Sequence, residues 1–274
     1  MKPFYFIQAA SDKGANKQGS SQGPGFVKKN SQLKGSWSDP IFSSKKVPSY
    51  AIKEVCKKIY QEYSSAIDSK FPVLIGGDHS VAMGSVWAAS DYCKKTSRPL
   101  YLLWIDAHAD INTTRTSLTG NIHGMPVSML TGIDHSGWII PARAHVQKSN
   151  LFLVGLRSVD FSEKITLKNH NIRWVGNNIS FYKKEIASWI DSLPENALLH
   201  VSFDLDSMDP SLAPGVSTPA NEGLGVEDLE YILNLVKNSN KLLSLDIVEY
   251  NPFYEKDNKT LFLIESILSY LEKN

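Results

Sequence analysis

"PLYLLWIDAHAD", residues 99–110, joins a run of aliphatic and aromatic residues directly to three ionisable ones. Residues 99–107 read as a buried strand, because the run is short, rich in β-forming residues and free of the polar side chains a solvated face would carry. Asp106, His108 and Asp110 fall at every second position, a spacing that in a strand sends side chains to one face. Two carboxylates and an imidazole crowded beside a dry sheet are costly unless they are paired or bind a metal.

The same arrangement recurs along the chain. "FPVLIGG" (71–77), "NLFLVGLR" (150–157), "ALLHVSFDLD" (197–206) and "KLLSLDIVEY" (241–250) read as further buried strands. Residues 50–67, 184–193, 226–239 and 260–274 carry helical spacing, the last as a closing helix. Strands alternating with helices argue for βα units and a parallel sheet, hence an α/β fold. Residues 11–50, rich in Gly, Ser, Asn and Lys and without a sustained apolar period, read as mostly loop and turn. Four of the five strands end in an acidic or histidine cluster: "GGDHS", "DAHAD", "DLD" and "DIVE". Open α/β sheets bind ligands beyond the carboxyl ends of their strands, so these clusters are expected on one rim.

The whole chain is compatible with that architecture. Its 274 residues, 42% hydrophobic, suit one large α/β domain over 1–274, with a loop-rich segment in the first 50. Twenty-nine basic and 28 acidic residues nearly cancel, so no overall field favours nucleic acid or an anionic membrane, and a small molecule is the expected partner. Cys56 and Cys93 are too few for a disulfide framework. The opening "MKPFYFIQAA" is too short in apolar residues for a signal peptide or a membrane helix, and a cytoplasmic location is expected.

The rim would collect Asp78, His79, Asp106, His108, Asp110, Asp204, Asp206 and Glu249. Carboxylates a few ångströms apart raise one another's pKa unless cations neutralise them. A single D-x-H-x-D is commonly a surface or capping cluster; three clusters that each terminate an apolar strand point to a metal centre. Oxygen-rich ligands with a little imidazole suit Mn²⁺ or Mg²⁺ better than structural Zn²⁺. One divalent ion would leave excess negative charge, whereas two sharing bridging carboxylates come close to balance, about 3.5–4 Å apart.

"GGDHS", "DAHAD" and "SFDLDSMDP" together resemble the signature set of the ureohydrolases, the arginase and agmatinase superfamily, with order and spacing agreeing across residues 71–252. The resemblance implies a three-layer α-β-α fold around a mainly parallel sheet of about eight strands, and a centre of two Mn²⁺ ions per subunit. It implies one ion on His79, Asp106, Asp110 and Asp204 and the other on Asp106, His108, Asp204 and Asp206, with Asp106 and Asp204 bridging. Asp78 has no ligand role in that pattern and is read as a supporting residue. A metal-bridging hydroxide would attack an electron-poor carbon such as that of a guanidinium. Glu249, in "DIVEYNP", is placed to hold that cation by paired hydrogen bonds.

The stretch "DINTTRTSLTGNIHGMP", 110–126, resembles the arginase branch in its hydroxyl-rich loop ending in "GN-x-HG". By that resemblance Asn112, Ser117 and Thr119 would bind an α-carboxylate, Asn121 would support the loop, and His123 would protonate the departing amine. Asp160 and Glu163, in "GLRSVDFSEK", match acidic groups near the α-ammonium, and Thr218, in "GVSTP", a threonine near the guanidinium site. The catalytic groups are then His123, Asp110 and Glu249. Ser158 stands where arginases commonly carry an acidic residue, and "GVSTP" resembles formimidoylglutamases more than the usual arginase sequence.

The resulting expectation is a manganese-dependent hydrolase converting L-arginine to L-ornithine and urea, as a homotrimer or homohexamer. The rivals are another ureohydrolase acting on agmatine, a guanidino acid or formimidoylglutamate, and a catalytically silent ureohydrolase-like binding subunit. A binuclear phosphoesterase would want basic residues around the metals, and only Arg115 and Arg157 lie near in sequence.

Overall fold

The computed structural model describes residues 2–136, 139–141 and 145–272. Among them, eight strands form one sheet: β1 Phe4–Ala9, β2 Ser36–Trp37, β3 Phe71–Gly76, β4 Leu100–Ile105, β5 Leu151–Leu156, β6 Arg173–Gly176, β7 Leu198–Asp204 and β8 Leu242–Val248. Their order is β2-β1-β3-β8-β7-β4-β5-β6, and every neighbouring pair is parallel. The expected α/β architecture is what the chain adopts.

The sheet is buried on both faces, as parallel sheets require. Alternate strand residues divide between two cores. Phe6, Val73, Ile75, Leu103, Ile105, Val201 and Phe203 face the layer made by α1 Gly23–Asn30, α6 Ile179–Asp191, α7 Val226–Asn238 and α8 Lys259–Glu272. Ile7, Leu74, Leu102, Trp104, Leu153 and Val248 face α2 Pro48–Ala66, α3 Ala82–Lys95, the short α4 Pro126–Leu130 and α5 Phe161–Asn169. Within the second layer Gly84 on α3 lets the helix meet α2 closely, since a Cβ there would lie 2.7 Å from the Cys56 carbonyl oxygen.

Several elements depart from the sequence reading. Residues 11–50 are mostly loop and turn, as expected, but they also hold α1, where Pro24 sits in the first turn and its missing N–H is harmless, and the edge strand β2. The first strand, β1, lies within the opening stretch and pairs with β3 over its whole length. β6, α3 and α5 also escaped the reading, and α6 begins at Ile179 rather than residue 184. Residues 273–274 of the expected closing helix lie outside the described residues. The strand expected over 99–107 ends at Ile105, so Asp106, His108 and Asp110 lie beyond it. They are gathered by a turn, not by strand alternation, and Asp110 takes a positive φ of 49°.

What positions the site is the sheet order. β3, β8, β7 and β4 are consecutive neighbours, and their carboxyl ends carry His79, Glu249, Asp204 with Asp206, and Asp106 respectively. Ile75, Ile247, Phe203 and Ile105 stand level across the four strands, so the polar residues that follow emerge at one height.

Candidate active site

Each strand end turns sharply. After β3, Gly77 passes so close to the Ser11 backbone that no side chain would fit. Asp78 then accepts hydrogen bonds from the N–H of Gly14 at 2.8 Å and of Ser80 at 3.0 Å, which directs His79 inward. Asp78 is thus bonded to the loop above the site. Its carboxyl is pushed up to about 6 by burial and by the Glu249 carboxylate. After β4, Asp106 accepts the His108 N–H at 2.7 Å, and after β7 Asp204 accepts the Asp206 N–H at 2.7 Å. Both carboxylates therefore shape their own turns through one oxygen and turn the other towards His79. Glu249, after β8, has a φ of 66°, an unusual conformation for a residue with a side chain.

These turns bring the expected ligands together. The His79 Nδ1 lies 3.1 Å from Asp106 Oδ2, 3.2 Å from Asp110 Oδ2 and 3.1 Å from Asp204 Oδ2. One ring nitrogen carries at most one proton and cannot satisfy three oxygens, and Asp110 Oδ2 is buried without a hydrogen-bond partner among the described residues. His108 Nδ1 lies 3.2 Å from Asp206 Oδ2 and 3.5 Å from Asp106 Oδ1. His79, Asp106 and Asp204 can each offer a ligand atom within 4.8 Å of the others, and so can Asp106, His108 and Asp206. Asp106 belongs to both sets, so the donors present fit two adjacent cations.

The electrostatics agree with that fit. Burial and the neighbouring carboxylates raise Asp110, Asp204 and Asp206 above the usual range. Burial opposes protonation of His79 and His108, yet the carboxylates facing them outweigh it and raise both. Asp106 goes the other way: burial resists its ionisation, but hydrogen bonds with His108 and His79 hold it well below the ordinary value. Protons shared between these groups stand where cations would.

A cavity of about 310 Å³ opens over the cluster. Its walls include His79, His108, Asp110, Asp204, Asp206 and Glu249, and also Asn112, Ser117, Thr119, Asn121, His123, Asp160, Glu163 and Thr218. Asp106 lies beneath them, fully buried. Every site residue expected from the sequence is therefore in or directly under one cavity. Ser158 is on its wall as well.

Several of these groups already have partners. Glu249 Oε1 accepts the His79 N–H at 2.9 Å and lies 3.1 Å from His123 Nδ1, whereas its Oε2 is buried with no partner among the described residues. Burial works against protonation of His123, but Glu249, helped by Asp78 and Asp110, raises it to about 9. Thr218 donates to Asp206 Oδ2 at 3.0 Å. Asn112 spans from the Thr116 and Ser162 hydroxyls to Asp160 Oδ2, tying its loop to the start of α5. Glu163 caps that helix, accepting the Asp160 N–H at 2.9 Å and the Ile111 N–H at 3.2 Å. The Ser117 and Thr119 hydroxyls accept N–H groups of Gly120 and Asn121, which folds the rim loop on itself.

Three contributors were not read from the sequence. Trp104 stacks on His79 with ring centroids 4.0 Å apart and donates its indole N–H to Asp106 Oδ2 at 3.0 Å. Ser202 lies 2.9 Å from His79 Nε2 and fixes the ring from behind. Strand alternation from Asp204 back to Ser202 was the available signal. Gly14 accepts the His123 N–H at 3.1 Å, so the N-terminal segment is part of the rim; nothing periodic in the sequence marks it.

Residues 2–271 match the model of the Arginase family. The arginase of Neurospora crassa is 36% identical over 231 residues, spanning 78% of this chain and 62% of its own length. The arginase of Staphylococcus aureus is 34% identical over 215 residues, covering 76% of this chain and 70% of that one. Among solved structures, arginase from Bacillus subtilis superposes with a TM-score of 0.90 at 27% identity, covering 100% of this chain and 99% of the other. Arginase from Entamoeba histolytica, solved in complex with L-ornithine, gives a TM-score of 0.85 at 26% identity over 99% and 98% of the two chains. The chain thus spans somewhat under two thirds of the length of the Neurospora relative but nearly all of the bacterial structure.

Proposed function

The chain belongs to the arginase family of hydrolases, and from that premise we propose that it hydrolyses the guanidinium group of L-arginine to L-ornithine and urea. His79, Asp106, Asp110 and Asp204 would hold one manganese ion, and Asp106, His108, Asp204 and Asp206 the other. When bound, the ions supply the Lewis acidity that activates water near neutral pH.

One observation carries the substrate class. Glu249 Oε2 is a buried carboxylate oxygen without a partner among the described residues, held at the cavity wall by the two bonds on Oε1. Among the described lining residues are six carboxylates and no Lys or Arg. Such a cavity takes a cation, and a guanidinium offers the paired N–H groups that a carboxylate accepts best. A phosphoester would meet repulsion instead. Arg157, one of the two arginines close to the motifs in sequence, is committed to main-chain carbonyls, among them those of Asp206 at 2.7 Å and Ala220 at 2.9 Å.

The remaining side chains then have definite tasks. Ser117 and Thr119, with Asn112 and Asn121 shaping their loop, receive the α-carboxylate. Asp160 faces the α-ammonium, while Glu163 keeps Asp160 in place by capping the same helix. Thr218 orients Asp206. The Asp110 carboxylate would take up the proton lost from water through the oxygen that does not hold the ion, and His123, held protonated by Glu249, would deliver one to the departing amine.

Steady-state assays after Mn²⁺ loading, with arginine, agmatine and formimidoylglutamate in parallel, test the proposal. Urea is expected from arginine at the highest kcat/KM. Failure to release urea from arginine would refute the substrate, and turnover of formimidoylglutamate instead would transfer the reading to a sister enzyme.

A further inference from the structure

A second cavity lies at the opposite pole of the sheet. It has a volume of about 630 Å³, roughly twice that of the site cavity, and is bounded by the amino ends of β3, β7 and β8 at Phe71, Leu198 and Leu242. Lys2, Lys70, Arg98, Lys237 and Lys241 line it, and among the described lining residues there is no carboxylate. In a chain whose formal charge is only +1, five cations around one concavity are a marked segregation.

Part of this charge has a structural use. Helices α2, α3, α7 and α8 all end near this pole, and their last carbonyls present negative partial charge. Lys2 donates to the Ile67 carbonyl at 3.0 Å and Lys237 to that of Tyr270 at 3.0 Å. Arg98 is fixed through Nε to the Asn196 carbonyl at 2.8 Å. Each helix end carries about −0.5 charge, so four of them offset about two of the five positive charges. The carbonyl bonds also hold Lys2, Lys237 and Arg98 in place, and Lys70 donates to the Ser36 hydroxyl at 3.1 Å, so a ligand would not have to order these four.

We propose that this polar cavity binds a small polyphosphate anion, free or carried on an aromatic group. A concave site of this volume suits a small molecule and not an extended polymer. Five cations around one concavity suit a multiply charged anion, and lysine and arginine together are the residues that recognise phosphate oxygens. Phe71, Leu198 and Leu242 provide an apolar wall against which an attached ring could rest. The site is independent of the hydrolase reading, since it shares no residue with the metal cavity.

Calorimetric titration of the full chain with inorganic pyrophosphate tests it, in EDTA at 0.15 M salt so that no divalent ion mediates binding. Saturable binding is expected, unchanged in Asp204→Ala and weakened by about tenfold or more in Lys70→Ala/Lys241→Ala, the effect of losing charge-assisted contacts. No saturable binding, or binding lost in Asp204→Ala and kept in the lysine variant, would overturn the proposal. Should the lysine variant fold poorly, acetylation footprinting of the unaltered protein serves instead: pyrophosphate is expected to protect Lys70 and Lys241, and unchanged labelling of both overturns the site. An ADP arm distinguishes the sources, with tighter binding than pyrophosphate showing that the apolar wall takes a ring, and equal binding that phosphate alone is read.

Discussion

His79 is held on three sides by side chains that do different work. Its Nδ1 faces the carboxylates, Trp104 covers its ring at 4.0 Å, and Ser202 lies 2.9 Å from Nε2. Hydrogen-bond partners behind a ligating imidazole set its tautomer and aim, and losing one typically weakens metal affinity by about 10–100-fold. Ser202→Ala should therefore reduce Mn²⁺ affinity by that order while leaving the fold intact. Competitive metal titration checks it, and an unchanged dissociation constant would show that packing against Trp104 alone aims the ring. Glu249→Gln isolates the other role: the amide retains the shape but not the charge. A lost charge-assisted bond is worth about 1.5–3 kcal/mol, so kcat/KM for arginine should fall by about 10–100-fold with Mn²⁺ binding preserved. Full activity in Glu249→Gln would remove this residue from guanidinium recognition.

At the scale of elements, the buried strands were legible because parallel strands covered on both faces read as near-continuous apolar runs: β3, β4 and β5 do so outright, and β7 and β8 with a few polar interruptions. What was not legible follows from the same physics. α3 is buried on most of its circumference, from Ala82 through Cys93, so no polar stripe reveals its helical period. β2 has two residues and β6 four, too few to establish alternation. The site was read through its strand-end clusters, but the turns that gather them depend on Gly77 meeting Ser11 and on positive φ at Asp110 and Glu249, which no spacing rule announces. The polar residues inside the strands were also silent. His200 Nε2 on β7 lies 2.9 Å from Asp246 Oδ2 on β8, and Ser85 on α3 donates to the same oxygen at 2.6 Å, all three fully buried. This bonds two central strands to the helix above them. Asp246→Ala leaves the buried His200 imidazole and Ser85 hydroxyl without this shared acceptor, at about 1–3 kcal/mol for each unsatisfied group, so about 2–5 kcal/mol of stability should be lost. Urea unfolding measures it; a loss under about 1 kcal/mol would mean the layer is held by apolar packing alone.

For the molecule as a whole, the carboxyl rim makes folding, protonation and metal binding one equilibrium. Without metal, Asp110 is raised to about 7 by burial and by Asp106, and Asp204 and Asp206 are raised for similar reasons. The folded state then binds more protons than the unfolded state, whose carboxyls titrate near 3.8, so stability falls as pH rises through this interval. His79 and His108 act in the same direction. Their folded pKa values are raised, so their contribution is complete below about 6.5, the ordinary histidine value, and is lost as pH climbs through the folded values. Asp106, which is lowered, contributes stability that disappears only at pH below the ordinary carboxylate value, outside this window. The melting temperature in EDTA should therefore decline from pH 5 to pH 8, by about 2–4 °C for each kcal/mol lost in a chain of this size. Mn²⁺ replaces the shared protons, binds more tightly as pH rises, and should abolish the decline. Hydrolysis should correspondingly weaken on acidification as protons compete for the ligands. Melting curves at both pH values, with EDTA and with Mn²⁺, decide the matter: a metal-free profile that is flat or rises towards pH 8 would mean that the rim ionises freely, and the case for a carboxylate cluster neutralised by metal would fail with it.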